Sequence, residues 1–228
     1  MKDNFKVRCS AIGKIMTSPR SKGEVLSQTT KSYIKELVLE HKYGIRKEIN
    51  SRYLDKGNMV ENESIELTER VLDLDLIVKN ESYFENDFIC GTPDIIMGDT
   101  IIDVKSSWSA HTFPFFFDEE LPNKDYYYQI QGYLALTGAT KGMVVYCLIN
   151  TPEEIVLDEI RRTSWSRHEL DVTEETEAEV RQQHEFDHIP EVNRVKAYHI
   201  ERNEEVIQAI YERVNECRIY YDRLWERI

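Results

Sequence analysis

Asp94, Asp103 and Lys105 stand in a stretch whose pattern brings them together. The segment Gly91–Ser107, GTPDIIMGDTIIDVKSS, reads as two strands, Thr92–Met97 and Thr100–Ser106, joined by the two-residue turn Gly98-Asp99. That loop length sets a register of Met97 opposite Thr100, Ile96 opposite Ile101, Ile95 opposite Ile102 and Asp94 opposite Asp103. Side chains alternate along a strand, so Thr92, Asp94, Asp103 and Lys105 share one face. Two carboxylates directly opposite, with Cβ atoms about 5 Å apart, repel each other, and a cation between them removes the repulsion. Pro93 lacks the ladder donor, and a bulge there would shift the pairing by one.

The spacing Pro93-Asp94 … Asp103-Val104-Lys105 fits the PD-(D/E)xK pattern. Phosphodiester hydrolysis needs a divalent cation to neutralise the phosphate and acidify the attacking water. Mg²⁺ takes hard oxygen ligands and keeps several waters, so two carboxylates, Asp94 and Asp103, with the Val104 carbonyl suffice; Mn²⁺ is a substitute. Lys105, on the same face, would orient or deprotonate the water and stabilise developing charge. Beside a metal and apolar walls its pKa would fall. The bare pattern is common and also fits an exposed Asp–Lys cluster; the convergence of four residues on one face separates the two.

Three other groups bear on this centre. Gln129 and Tyr133 are one turn apart on a downstream helix and share a face, where they would bind a phosphate or brace Lys105. Glu61, in Gly57-Asn58-Met59-Val60-Glu61, is a candidate third carboxylate for catalysis and metal binding. His184-Glu185-Phe186-Asp187-His188 matches HExxH, but the preceding turns are almost wholly polar and Pro190 follows closely. No third ligand is evident, so these histidines are expected to be solvated and no zinc site is expected.

The elements that must position these residues follow from periodicity. Residues 7–16 have helical spacing with Ser10 as N-cap. Thr29–Tyr43 is a helix stopped by Gly44, and Arg52–Leu72 a helix interrupted at Gly57. Leu76–Lys79, Tyr83–Cys90 and the two strands above form a meander. After the aromatic loop Trp108–Phe117 comes a helix over about Lys124–Leu136. Lys141–Leu148 is a buried strand reached by a crossover onto the same sheet. Thr151-Pro152-Glu153-Glu154 starts a helix reaching about Trp165, with Thr151 as N-cap. The acidic Thr173–Asp187 is a second helix with little buried face. Arg194–Ile200 is a last strand and Asn203–Arg227 a long amphipathic helix. The expected fold is α/β (α+β), with a central mixed β-sheet flanked by helices; resemblance to the PD-(D/E)xK nucleases implies that it is a restriction-endonuclease-like core. It forms one nuclease domain over residues 1–228, with a helical acidic insertion or arm near 152–188.

Composition narrows the class. With 41% hydrophobic and 31% charged residues, 228 residues suit a folded soluble domain. No apolar run is long enough to span a bilayer and no signal peptide is read, so the expected location is the cytoplasm, with no membrane partner. Four singly scattered cysteines, Cys9, Cys90, Cys147 and Cys217, argue against a zinc ribbon, an Fe–S cluster or a disulfide framework. Net charge is −13, but residues 1–60 carry 13 Lys and Arg against 6 Asp and Glu, and the remainder 16 against 36. The positive charge on Arg20, Lys22, Lys31, Lys35 and their neighbours offers a local surface for a phosphate backbone.

Taken together, these residues resemble the YqaJ-type viral recombinase family, the lambda-exonuclease-like branch of the PD-(D/E)xK nucleases. Ser10-Ala11 with Pro19-Arg20-Ser21 resembles its opening helix and loop, and Lys56-Gly57 … Glu61 its glycine–glutamate motif. Thr92-Pro93-Asp94 with Asp103-Val104-Lys105 resembles its metal centre, Tyr128-Gln129-Ile130-Gln131 its QxxxY-like helix, and Tyr198–Arg202 its closing strand. The resemblance implies an Mg²⁺-dependent exonuclease acting on duplex DNA ends, usually 5′→3′, and partnered by a single-strand annealing protein. That the cell is bacterial or phage-infected is implied only by this resemblance. It implies metals at Asp94, Asp103 and the Val104 carbonyl with Glu61 nearby. It also implies a 5′-phosphate pocket at Ser10, Thr92 and Gln129, with Tyr133 and an arginine for which Arg8 and Arg20 are the candidates. Arg8 does not stand at the family's spacing. Ring-shaped homo-oligomers occur in the family. A structure-specific endonuclease and a non-catalytic DNA-end-binding scaffold are the alternatives.

Overall fold

Short period-two apolar runs in the middle of the chain become strands, and period-3.6 runs around them become helices. The computed structural model describes residues 5–48, 51–75, 77–117 and 120–228. In chain order they form β1 (Val7–Arg8), a 3-10 turn at Cys9–Ala11, α1 (Ile12–Ile15), α2 (Gln28–Tyr43), α3 (Arg52–Met59) and α4 (Glu61–Leu72). Then come β2 (Phe84–Glu85), β3 (Ile89–Gly91), β4 (Ile95–Met97), β5 (Thr100–Ser106), α5 (Lys124–Thr137) and β6 (Lys141–Cys147). Last are α6 (Glu153–Ser166), α7 (Glu174–His184), β7 (Val195–Glu201) and α8 (Glu204–Arg227).

A mixed four-stranded sheet runs β4-β5-β6-β7, and a three-stranded one β1-β3-β2. The hairpin register is the expected one: Ile95 faces Ile102, Ile96 faces Ile101 and Met97 faces Thr100. Gly98 makes the turn at φ 57°, a left-handed conformation that glycine adopts without a Cβ clash. β5 and β6 are parallel, with Asp103 beside Val144 and Lys105 beside Tyr146, so the crossover through α5 returns to the same sheet.

The two faces of the sheet carry different cores. Ile101, Val144, Tyr146, Tyr198 and Ile200 pack with α1, α5 and α8 residues such as Ile12, Ile130, Leu134, Ile210 and Val214. Ile102, Val104, Met143 and Val145 pack under Ile65 and Leu67 of α4. Each such aliphatic, removed from water, stabilises the fold by about 1.5–3 kcal/mol. Alternation along β5 puts Asp103 and Lys105 on the α5 side, two polar residues in line with Ile101.

Several boundaries depart from expectation for identifiable reasons. The chain start pairs with β3, Val7 beside Ile89 and Arg8 beside Cys90, so the helix begins only at Ile12 and Ser10 does not cap it. The helix over 52–72 breaks at the buried Val60, not at Gly57. The run 83–90 is two strands, because the Asn86 side chain accepts the Phe88 and Ile89 amides at 2.9 Å and turns the chain. β4 starts at Ile95, since Pro93 has no N–H to pair; Asn80 instead donates to the Pro93 and Asp94 carbonyls. Of the expected strand 76–79, Lys79 makes an isolated bridge to Ile95, and Leu76 lies outside the described residues. Pro152 rather than Thr151 occupies the α6 N-cap, because Thr151 Oγ1 is bonded to His184 Nδ1 at 2.9 Å.

Candidate active site

β5 and α5 face each other across one buried carboxylate. Asp103 is fully buried. Its Oδ1 accepts a hydrogen bond from Gln129 Nε2 at 2.9 Å, and Oδ2 lies 2.6 Å from Lys105 Nζ. Oδ2 is buried, and what holds it is this ion pair with Lys105. Gln129 Nε2 also lies 3.1 Å from Tyr133 Oη, the residue one turn further on. The ammonium of Lys105 sits 4.9 Å from the centre of the Tyr126 ring, one turn before Gln129.

Asp94 arrives from the other side, at the point where β4 has ended. The backbone amide of Val104 donates to its Oδ2 at 2.8 Å. A strand residue's N–H and C=O project to the same side, so the Val104 carbonyl also faces the Asp94 edge. Burial and the Asp103 charge push the Asp94 carboxyl up to about 7; Lys105 and the Val104 amide pull the other way, and Glu61 adds to the rise. The predicted opposition of the two aspartates therefore has an electrostatic signature. The fall of the Lys105 pKa, expected beside a metal, is not what the cation-free site gives. Burial acts to lower it, but Asp103 and Asp94 together outweigh burial and hold it above its usual value. In the absence of a cation Lys105 is the counter-ion of the pair.

Glu61 opens α4, close enough to raise Asp94, and its carboxylate is engaged by Lys79 at 2.6 Å. Ser64, one turn on, bonds Ser106 at 2.8 Å and ties α4 to β5 beside Lys105. The sequence reading missed Asn80, Lys79 and Tyr126. Tyr126 alone left a signal, since it stands three residues before Gln129 on the same helix face.

The residues assigned to a phosphate pocket divide. Arg8, Ser10, Thr92 and Tyr133 line one cleft of about 400 Å³ with Cys9, Tyr83, Cys90 and Gly91. Gln129 is turned to Asp103 instead, and Tyr133 links the cleft to that bond. Gly91 permits this packing, because a Cβ there would lie 2.9 Å from the Tyr133 ring. Arg20 is exposed in the connection between α1 and α2 and is not among the lining residues. Much of the N-terminal positive charge is matched locally. Arg46 pairs with Glu40, Lys31 with Glu24, Lys47 with Glu36 and Arg52 with Glu159, while Lys56 is buried.

The HExxH stretch differs from expectation. α7 ends at His184, so His188 is not one helical turn away. His184 is buried rather than solvated, edge-on to Trp108 at 5.1 Å and bonded to Thr151. The four cysteines are free and buried, as expected. Among the described residues no helix is long and apolar enough to cross a membrane.

No protein-family model matches the chain, and no curated protein does. Among solved structures, a phage-related exonuclease from Haemophilus somnus 129PT is 31% identical over 98% of this chain and 96% of its own, with a TM-score of 0.79. The chain belongs to the YqaJ-like, lambda-exonuclease-like family. The alkaline exonuclease LHK-Exo from Laribacter hongkongensis is 16% identical over 99% of this chain and 92% of its own, at a TM-score of 0.67. Its complex with dAMP superposes at 0.65, with 17% identity over 97% and 90% of the chains. These two share the restriction-endonuclease-like fold of the family.

A family nuclease of this fold implies a divalent cation, and the donor set fits one. Among the described residues no three His, Cys, Asp or Glu side chains cluster, so the candidate ligands are two carboxylates and one carbonyl. That suits a hard cation that keeps several waters. The buried Asp103 Oδ2, held by the Lys105 ammonium, and the raised Asp94 are what a cation would relieve.

Proposed function

We propose that this chain is a metal-dependent deoxyribonuclease that degrades linear duplex DNA from an end, 5′→3′, as one nuclease domain with residues 152–188 as an arm. The observation that carries the reading is the buried Asp103, shared between Gln129 and Lys105 and set against Asp94. Membership in an exonuclease family whose solved member matches nearly the whole chain supports it.

Asp94, Asp103 and the Val104 carbonyl would hold Mg²⁺, or Mn²⁺ in its place, with Glu61 nearby. The ion would neutralise the scissile phosphate and acidify the attacking water. Gln129 fixes one Asp103 oxygen, and the other, held by Lys105, is the one that would turn to the ion. Lys105 would donate to a phosphate oxygen and stabilise the charge that develops there. Tyr126 backs the ammonium, and Ser64 braces the strand through Ser106. Arg8, Ser10 and Thr92 would receive the terminal 5′-phosphate, Arg8 through charge and the two hydroxyls through hydrogen bonds. The partners of this reading are double-stranded DNA ends, a single-strand annealing protein and further copies of the chain, in a cytoplasmic recombination reaction.

Polarity and end recognition are tested together with duplexes labelled at one 5′ or one 3′ end, with and without a 5′-phosphate. The expected result is early release of 5′ label as mononucleotide, at least tenfold faster from phosphorylated ends. Early release of 3′ label overturns the polarity. Internal fragments overturn the exonuclease reading.

A further inference from the structure

Tyr83 lines the Arg8–Ser10–Thr92 cleft, yet 60% of its surface is open to solvent. It directly precedes β2, where Phe84 pairs with Gly91, so the antiparallel register continues to set Tyr83 beside Thr92. The Cys90 side chain, burial and the Glu85 carboxylate push its hydroxyl up to about 12, which keeps it neutral. Glu85 is matched by Lys6 at 2.7 Å, which moderates the negative charge it brings to the cleft. Tyr83 is thus the exposed aromatic side chain of the cleft. The other aromatic there, Tyr133, is only 5% exposed and its hydroxyl is taken by Gln129. The polar residues of the cleft account for a phosphate. A volume of about 400 Å³ is in the range that takes a small organic ligand.

We propose that Tyr83 is the wall of a nucleobase subsite, on which the terminal base of the DNA end stacks while its 5′-phosphate lies against Arg8, Ser10 and Thr92. This rests on the end-processing reading above. Stacking is tolerant of base identity, because every base has a π-face, and it suits an enzyme that must accept each new terminal nucleotide in turn. The ring orders the leading nucleotide without reading sequence, and so fixes which phosphodiester faces Asp103.

The test uses the full chain with Mg²⁺ and 5′-phosphorylated duplexes whose terminal nucleotide is either intact or abasic. A second arm measures binding of dAMP against deoxyribose 5-phosphate by calorimetry. The proteins are wild type, Tyr83→Ala, Tyr83→Leu and Tyr83→Phe, with folding checked by circular dichroism. Wild type and Tyr83→Phe are expected to favour the intact end about tenfold in kcat/KM, and dAMP about tenfold in Kd. Tyr83→Ala and Tyr83→Leu are expected to lose about tenfold on the intact end, nothing on the abasic end, and the preference for dAMP. Equal losses on both ends overturn the subsite, and so does a Tyr83→Phe enzyme that behaves like Tyr83→Ala. If wild type digests neither duplex, the exonuclease reading falls and the dAMP preference alone decides the subsite: tenfold sustains it, none overturns it.

Discussion

Gln129 and Asp103 are joined by a 2.9 Å hydrogen bond from the α5 amide to the buried β5 carboxylate, whose other oxygen lies 2.6 Å from the Lys105 ammonium. The bond ties α5 to β5, and through Tyr133 it reaches the neighbouring cleft.

Gln129→Leu removes the donor and leaves a buried anionic oxygen without its partner, a loss of about 1.5–3 kcal/mol for a bond to a charged group. The expected effect is a 10- to 100-fold fall in kcat and a lower melting temperature. Gln129→Glu is expected to be worse, because it adds a third carboxylate. Single-turnover digestion of a labelled duplex and thermal melting measure both.

Asp94→Asn is expected to abolish turnover and to stabilise the cation-free protein, by about 1–3 kcal/mol at neutral pH and above. The sign follows from the raised Asp94 pKa. Below about 3.8 the acid is protonated in both the folded and the unfolded chain, and the two proteins should differ least. As pH rises toward about 7 the unfolded chain ionises first, so wild type loses stability that the variant keeps. Urea titrations without divalent cation at pH 5 and pH 8 test this; a variant less stable than wild type at pH 8 contradicts it.

Lys105→Ala is expected to abolish turnover while the fold survives. It leaves Asp103 and Asp94 without their counter-ion, so the variant should melt lower in EDTA and recover with Mg²⁺. A variant that unfolds even with Mg²⁺ would mean that the Asp–Lys cluster is structural.

Lys56 gives a pH dependence remote from these carboxylates. It is buried, donates to the Trp108 carbonyl at 3.0 Å, and burial lowers it to about 7. Below that pH it is charged in both states and the fold bears the cost of the buried charge. Between about 7 and 10.5 the folded chain sheds the proton first, so stability should rise with pH by at most about 1.4 kcal/mol per unit. Lys56→Met should remove that slope, as denaturation at pH 7 and pH 9.5 would report.

What the sequence disclosed depended on how local the cause was. The 95–102 register followed from a two-residue turn and alternation, both local, and the crossover onto β6 followed from an apolar run after a helix. The role of Gln129 did not, because its partner is 26 residues away and an i, i+4 pair with Tyr133 does not say what either faces. The rise of the Lys105 pKa in the cation-free site was not legible for the same reason: it depends on how close two carboxylates lie, against burial acting in the opposite direction. Ser10 lost its capping role to a strand pairing with residues 89 and 90, and Thr151 lost its own to His184. The basic N-terminal quarter was legible as composition, but not the local acids that match much of it.

The central claim is an end-dependent, metal-dependent nuclease centred on Asp103. Its most direct test incubates a covalently closed circular duplex and a 5′-phosphorylated linear duplex with the protein in Mg²⁺, with Asp103→Asn and EDTA as controls. The account predicts that the linear duplex is consumed from its end, the circle stays intact, and both controls spare both substrates. Cutting of the closed circle, or no digestion of either duplex in Mg²⁺ or Mn²⁺, would contradict it.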